Sequence, residues 1–209
     1  MATVLLIDDH DIVRFGIDTL MRAAGLHVVA SAQSLAAGLA AMAELRPDLV
    51  VTDMGIGDSH GLDTVRRVLA AQSPRPVLVV SMQDELLYAE PVLALGAAGY
   101  VMKETAHANV VPAARAALAG SKWASAAVVA HLAARAARRR DALPSATQDH
   151  LTTRELQILE QLKSGKTTKE IATALHLSVR TVDSHRANIK QKLELRTGAE
   201  LIAFASSRL

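Results

Sequence analysis

A set of polar and charged residues stands directly after apolar runs in the first half of the chain. The clearest member is an aspartate that follows the run LVVT at residues 49–52 and precedes a glycine-rich loop. Apolar runs bounded by turn residues are typical of buried strands. Because the carboxyl ends of parallel strands share one edge of a sheet, we expect these residues to lie together there. The set comprises Asp8, Asp9, Asp53, Ser81 and Lys103.

These residue types are suited to phosphoryl transfer. Three crowded carboxylates repel one another unless a cation lies among them. Mg²⁺ fits, since it takes one or two carboxylates and keeps other positions for water and phosphate oxygens. Lys103 would bring a positive charge to an incoming phosphoryl group, and Ser81 would bring a hydroxyl donor. Asp53 is the best-placed nucleophile, and its product would be an aspartyl phosphate.

Strand and helix signals alternate over residues 1–120. The predicted strands cover residues 3–7, 27–30, 48–53, 77–81 and 99–102, and the predicted helices cover residues 12–24, 35–45, 62–71, 86–95 and 109–118. Five such units predict an α/β fold, a doubly wound five-stranded parallel sheet of the flavodoxin-like kind.

Charge divides the chain into an acidic front and a basic back. Residues 1–120 hold 8 Lys/Arg and 13 Asp/Glu, residues 121–150 hold 5 and 2, and residues 151–209 hold 10 and 6. This asymmetry predicts two domains with different partners, with nucleic acid as the partner of the second. The chain lacks cysteine, which excludes a disulfide framework, and lacks an apolar run of membrane-spanning length. We therefore expect a cytoplasmic protein without a membrane partner.

Residues 3–120 resemble the receiver domain of bacterial two-component response regulators. The resemblance is carried by LLIDDH at residues 5–10, by Asp53 and Ser81 at strand ends, and by GAAGYVMK at residues 96–103. It implies that Asp53 accepts phosphate from a sensor histidine kinase. The implied Mg²⁺ ligands are Asp9 and Asp53 with the Gly55 backbone carbonyl, and Asp8 completes the acidic set. The implied switch pair is Ser81 and Tyr100.

Two positions depart from the usual receiver pattern. Gly57 stands where the family usually has a proline, which predicts a more mobile loop and leaves the lifetime of the phosphoryl group open. Met82 follows the strand-four hydroxyl where a small residue is common, which predicts narrower access to the site. Neither change removes a charged group that the chemistry needs.

The region from residue 121 to 149 is predicted to be a linker. Residues 124–137 are mostly alanine and predict a short helix, which is either a dimer contact or simply a connector. Three arginines at residues 138–140 and a polar run follow, and we interpret them as a solvated tether.

Residues 150–209 carry the marks of a small helical domain. Two capping-box patterns, Thr152 to Glu155 and Thr167 to Glu170, each open a helix. The second of these helices, over residues 169–175, is separated by a short turn from a third that begins at Val179, which is the helix-turn-helix pattern.

The third helix has one apolar and one polar face. At about 100° per residue, Val182, Ile189 and Leu193 form an inward stripe. His185 falls on this inner side as a packing residue or phosphate contact. Small and hydrogen-bonding residues on the opposite face suit base edges, and flanking residues suit phosphates. The predicted DNA contacts are Lys169, Arg180, Thr181, Asp183, Ser184, Arg186, Ala187, Asn188, Lys190 and Lys192.

The segment LTTRELQILEQLKSGKTTKEIATALHLSVRTVDSHRANIKQKL strongly resembles the LuxR-type DNA-binding domain. With the receiver it makes the chain resemble a NarL/FixJ-type response regulator. The resemblance implies a four-helix all-α domain whose third helix enters the major groove and whose last helix, residues 199–206, serves dimerisation on DNA. The expected partners are the kinase, double-stranded DNA with two half-sites and a second copy of the chain, with RNA polymerase as a further candidate.

Two alternatives stay open. The chain could bind DNA independently of phosphorylation, with the receiver as a dimerisation platform. It could also be a phosphotransfer enzyme like the haloacid dehalogenase-type phosphatases, which carry a second aspartate two residues after the nucleophile. This chain has Gly55 at that position, so we expect only slow hydrolysis of its own aspartyl phosphate and no other enzyme activity.

Overall fold

The computed structural model describes the backbone of residues 1–57, 59, 61–141 and 151–208, and the side chains of these residues except 135, 137–141, 153 and 208. It divides into two compact units, Met1–Ala134 and Arg135–Leu209. The division falls later than the predicted receiver boundary at residue 120, because the segment after the fifth receiver helix packs against the sheet.

The first unit is built on a parallel sheet of five strands. The strands are β1 (Thr3–Ile7), β2 (His27–Ala32), β3 (Leu49–Thr52), β4 (Val77–Ser81) and β5 (Gly99–Met102). Their order is β2-β1-β3-β4-β5, which confirms the predicted topology. The second strand extends beyond the predicted end at residue 30, and the third is shorter than predicted.

Helices cover both faces of this sheet. They are α1 (Asp11–Ala23), α2 (Leu35–Leu45), α3 (Leu62–Gln72), α4 (Glu85–Ala94) and α5 (Ala106–Leu118), with a 3-10 turn at Lys103–Thr105 before α5. Alternate residues of one strand serve opposite faces: Leu6 packs in the core shared with α1 and α5, and Leu5 in the core shared with α2. Continuous apolar strands are expected where both faces are covered.

Strand register places three of the predicted site residues at the same edge of the sheet. Ile7 pairs with Thr52, and Ser81 pairs with Met102. The next residues along β1, β3 and β5 therefore leave the same edge of the sheet. These are Asp8, Asp53 and Lys103.

The linker helix is longer than predicted. Helix α6 spans Ala126–Asp141 and so includes the three arginines at residues 138–140. The arginines that we interpret as part of a solvated tether therefore continue the helix, since a run of alanines and arginines has high intrinsic helix propensity. The polar run after residue 141 lies outside the described residues.

The second unit contains four described helices, α7 (Thr153–Lys163), α8 (Thr168–Ala174), α9 (Val179–Lys192) and α10 (Gly198–Arg208). Both predicted capping boxes are present, on Thr152 with Glu155 and on Thr167 with Glu170. The core of the unit is formed by fully buried apolar residues from each helix, including Leu156, Ile171, Val182, Ile189 and Leu201. The predicted all-α helix-turn-helix domain is thus confirmed.

Candidate functional site

Lys103 and two aspartates form a buried charge cluster at the carboxyl edge of the sheet. The Lys103 Nζ donates to Asp53 Oδ2 at 2.7 Å. It also lies 2.8 Å from Asp8 Oδ2, an ion pair that lacks the angle of a hydrogen bond. Only 3% of the Lys103 side chain is exposed. One ammonium therefore serves two buried carboxylates, an arrangement that leaves a net negative charge in the site.

The acidic group has the composition of a site for a hard cation. One ligand atom from each of Asp8, Asp9, His10 and Asp53 can be chosen so that all lie within 4.8 Å of one another. Asp8 and Asp53 are buried, whereas Asp9 and His10 are exposed. Buried carboxylates beside an open mouth fit a cation that keeps water and phosphate oxygens among its ligands.

His10 is a member of this site that the sequence analysis missed. Its Nδ1 lies 2.8 Å from Asp9 Oδ1, 3.3 Å from Lys103 Nζ and 4.0 Å from Asp53 Oδ2. The available signal was its position directly after the acidic pair in LLIDDH. A histidine at the start of a helix commonly faces solvent, so spacing alone gave no reason to assign it to the site.

Burial raises the pKa of the Asp53 carboxyl, and the nearby Asp8 carboxylate adds to the rise. The hydrogen bond and charge of Lys103 act in the opposite direction but do not cancel the cost of burial. Asp53 Oδ1 also accepts the Met54 backbone N–H at 2.6 Å. Fixed donors thus hold the carboxylate, but its ionised form is less stable than that of an exposed aspartate.

Ser81 and Tyr100, the predicted switch pair, meet at the turn that follows β4. The buried Tyr100 donates its hydroxyl to the Gln83 carbonyl at 2.8 Å, and the Gln83 N–H donates to Ser81 Oγ at 3.3 Å. Burial keeps the pKa of Tyr100 far above its ordinary value, so the phenol stays a hydrogen-bond donor. Met82, by contrast, is 57% exposed.

The loop after Asp53 is closed by two backbone hydrogen bonds. Ile56 and Ser59 exchange N–H···O bonds of 2.9 Å in each direction. Gly57 between them has φ of +54°, which proline cannot adopt, and its N–H donates to Asp9 Oδ2 at 3.2 Å. The glycine therefore adopts a turn conformation in which its N–H reaches the acidic site.

The second unit presents one polar face of α9 to solvent. Ser178 caps this helix by accepting the Thr181 N–H at 3.0 Å. Six of the ten predicted DNA contacts are exposed: Lys169, Arg180, Asp183, Ser184, Ala187 and Asn188. The other four, Thr181, Arg186, Lys190 and Lys192, are half-buried.

Two basic residues of α9 have partners inside the domain. The Lys192 Nζ lies 2.7 Å from Oε2 and 3.0 Å from Oε1 of the buried Glu155. The predicted phosphate contact of Lys192 stays a prediction. An ammonium at this place stabilises the Glu155 carboxylate, which belongs to the capping box of α7. Arg186 donates to Thr168 Oγ1 at 2.6 Å and so ties α9 to the start of α8.

A buried aspartate and lysine at the carboxyl edge of a five-stranded parallel sheet, followed by a helix-turn-helix unit, define the class of response regulators. Family models support this class over most of the chain. Residues 4–115 match the response regulator receiver domain, and residues 149–205 match the bacterial regulatory proteins of the luxR family. The chain belongs to the response regulators that join a receiver to a LuxR-type DNA-binding domain.

Full-length relatives have the same organisation. The transcription regulator BvgA of Bordetella pertussis is 34% identical over 97% of this chain and 95% of its own length. The transcriptional regulatory protein LiaR of Bacillus subtilis is 31% identical over 98% and 97%. RcsB of Salmonella enterica serovar Typhimurium, solved bound to a promoter with the phosphomimetic BeF₃⁻, superimposes with a TM-score of 0.75 at 24% identity, covering 99% of this chain and 98% of that one.

Among the described residues, no helix combines the length and the apolar character needed to cross a lipid bilayer.

Proposed function

We propose that Asp53 is the phosphoacceptor of this response regulator and that a sensor histidine kinase supplies the phosphoryl group. The observation that carries the proposal is the buried Lys103 ammonium 2.7 Å from Asp53 Oδ2, beside the acids of β1. In the transfer, the nitrogen–phosphorus bond of a phosphohistidine breaks as an oxygen–phosphorus bond to Asp53 forms. Lys103 is placed to balance the charge that the phosphoryl oxygens bring.

The donor set suits Mg²⁺ because it is dominated by carboxylate oxygens. Asp8, Asp9 and Asp53, with the Gly55 carbonyl, would hold the ion. When bound, Mg²⁺ supplies positive charge between the carboxylates and the phosphoryl oxygens. Attack of water on phosphorus would return the Asp53 carboxylate and free phosphate, a slow reset rather than turnover of an external substrate.

The output of the switch is DNA binding through α9. Its exposed face carries hydrogen-bonding side chains and cations, which suit base edges and phosphates respectively. The related BvgA and LiaR are named as transcription regulators, and RcsB has been solved on promoter DNA. Phosphorylation would favour a dimer that spans two half-sites, and contact with RNA polymerase would follow from that placement.

The test is DNA binding at fixed salt by wild type and by Asp53→Asn, using a duplex selected from a random pool. Each protein is measured in Mg²⁺ with and without acetyl phosphate. Acetyl phosphate is expected to tighten binding by wild type by roughly 5- to 150-fold, the range of ordinary allosteric coupling, and to leave Asp53→Asn unchanged. Asp63→Asn, which replaces an exposed acid at the start of α3, is the matched control and should respond like wild type.

Two other results would each support an alternative. Equal DNA binding by wild type and Asp53→Asn under all conditions would identify a regulator that works without phosphorylation. Steady release of phosphate from a small phosphomonoester would identify a phosphotransfer enzyme. Intact-mass measurement after acetyl phosphate treatment separates a chain that is not phosphorylated from one that is phosphorylated without effect.

A further inference from the structure

The segment between α5 and α6 runs along the outer edge of β5 and contacts both ends of α4. We name residues 122–125 the strap. At one end, Lys122 Nζ donates to the Leu93 carbonyl at 2.8 Å, near the end of α4. At the other end, Ser125 Oγ donates to Glu85 Oε1 at 2.8 Å, at the first residue of α4. The strap therefore spans the helix that follows the switch residue Ser81.

Backbone pairing fixes the middle of the strap to the sheet. The Trp123 N–H donates to the Ala98 carbonyl at 2.8 Å, and Trp123 forms a parallel bridge with Gly99. A Cβ at Gly99 would lie 3.1 Å from the Trp123 carbonyl oxygen and 2.9 Å from Leu78 Cδ1. A side chain at this position would therefore push the strap away from β5, and glycine allows the close approach.

Ser125 links two helices through a single hydroxyl group. It donates to Glu85 on α4 and accepts the Val128 N–H at 3.1 Å in the first turn of α6. Val128 is itself 3% exposed and anchors that first turn. The position of the linker helix thus depends on the position of the start of α4.

The start of α4 depends in turn on the switch pair. Gln83, held by the Tyr100 hydroxyl and bonded through its N–H to Ser81 Oγ, is separated from Glu85 by one residue. A phosphoryl group on Asp53 would attract the Ser81 hydroxyl, and rotation of the side chain toward it would move Oγ away from the Gln83 N–H. The turn that carries Glu85 would then rearrange.

We propose that the Ser125–Glu85 hydrogen bond is a latch that holds the linker helix on the receiver, and that phosphorylation of Asp53 opens it. The switching step rests on the proposed function of Asp53, whereas the latch itself rests on the contacts of the strap. Opening would free α6, through which the chain continues into the DNA-binding unit. The latch is a two-state element that the phosphorylation site can bias.

Trp123 is the single tryptophan of the chain, so its fluorescence reports on the strap alone. The informative variant is Ser125→Asp, whose carboxylate can still cap α6 but cannot donate to Glu85 and repels it. Ser121→Ala, at an exposed serine just before the strap, is the matched control. Acrylamide quenching of the full-length proteins is measured in Mg²⁺, with and without BeF₃⁻.

In wild type and in Ser121→Ala, BeF₃⁻ is expected to raise the quenching constant about twofold as the open population grows. In Ser125→Asp the constant should be high before BeF₃⁻ is added and change little afterwards. The factor by which BeF₃⁻ alters DNA affinity should also fall toward about one in this variant, since the coupling has been removed.

The latch is overturned if Ser125→Asp has the quenching constant and the BeF₃⁻ response of wild type. Its switching role is overturned if acetyl phosphate phosphorylates wild type, as seen by intact mass, while Trp123 quenching stays constant. If wild type is never phosphorylated, the proposed function fails and the switching role fails with it. The comparison of Ser125→Asp with wild type without phosphodonor still decides whether the contact holds the strap.

Discussion

At the proposed phosphoacceptor site, one buried cation faces two buried carboxylates. Lys103 is shared between Asp8 and Asp53, and both carboxylates are buried. Burial destabilises the ionised form of Asp53 and so raises its pKa. Added positive charge would stabilise such a site, so a divalent cation would offset the negative charge of an incoming phosphoryl group.

Asp53→Asn should therefore stabilise the chain in Mg²⁺-free buffer at pH 7. Because its pKa is raised in the folded state, native Asp53 holds its proton to a higher pH than the unfolded chain does, so its contribution to stability falls as pH rises from the ordinary aspartate pKa through the raised one. Asparagine is neutral and avoids this loss. We expect a rise in the thermal midpoint of about 2 to 4 °C, the shift that about 1 kcal/mol produces in a chain of this size.

Calorimetry from pH 3 to 7.5 in EDTA measures the effect, which should shrink toward pH 3, where aspartate is protonated in both states. The exposed-acid variant Asp63→Asn serves as the control and should follow wild type. A wild type as stable as Asp53→Asn at pH 7 would show that Lys103 fully compensates the buried carboxylate.

At the scale of secondary structure, α9 has two functions that its sequence pattern does not separate. Its exposed face is available to DNA, whereas Lys192 at its end reaches Glu155 at the start of α7. Burial opposes the charge on Glu155, but hydrogen bonds from Lys192 and Thr152 hold its pKa below the ordinary value. This carboxylate stabilises the domain at neutral pH, and its contribution is lost as pH falls through its lowered pKa.

Lys192 and the nearby Lys190 should consequently behave differently when replaced. Lys192→Met leaves a buried carboxylate without its cation and is expected to destabilise the DNA-binding unit by about 3 kcal/mol. The slope of log affinity against log salt should not change, because no phosphate contact is lost. Lys190→Met should leave stability nearly unchanged and reduce that slope by about one.

Urea unfolding measures the change in stability. Fluorescence-anisotropy titrations between roughly 50 and 200 mM salt measure the slope of log affinity against log salt. A reduced salt slope for Lys192→Met would show that this residue does contact a DNA phosphate. The two variants make the same change at neighbouring positions, so each is the control for the other.

At the scale of the whole molecule, an acidic receiver is joined to a basic DNA-binding unit. The first 120 residues hold 8 Lys/Arg and 13 Asp/Glu, and the last 59 hold 10 and 6. The receiver alone is repelled by DNA phosphates, so DNA affinity depends on how many basic units act together. Dimerisation is the simplest way for a signal at Asp53 to change that number.

If phosphorylation drives dimerisation, the salt slope of DNA binding should about double in BeF₃⁻, because a dimer neutralises about twice as many phosphates. The same titration with Asp53→Asn should give a single slope in both conditions. Tighter binding at an unchanged slope would indicate that phosphorylation releases one DNA-binding unit without pairing two. Analytical ultracentrifugation of the free protein distinguishes these cases independently.

Local sequence was enough to predict the strands and helices and to predict that the charged residues lie at the carboxyl edge of the sheet. Apolar runs predicted the five strands, and the alternation with helices predicted their parallel order. Strand ends identified Asp8, Asp53 and Lys103, and capping boxes identified the starts of α7 and α8. These features depend on residues close together in the chain, where spacing and side-chain chemistry are sufficient.

Tertiary structure decided which distant side chains meet. His10 meets Lys103, Lys192 reaches Glu155, and Ser125 reaches Glu85. Each of these contacts joins segments brought together by strand register or helix packing, and the direction of a long side chain depends on what it packs against. The helical period places a residue on a face, but only packing determines which partner that face finds.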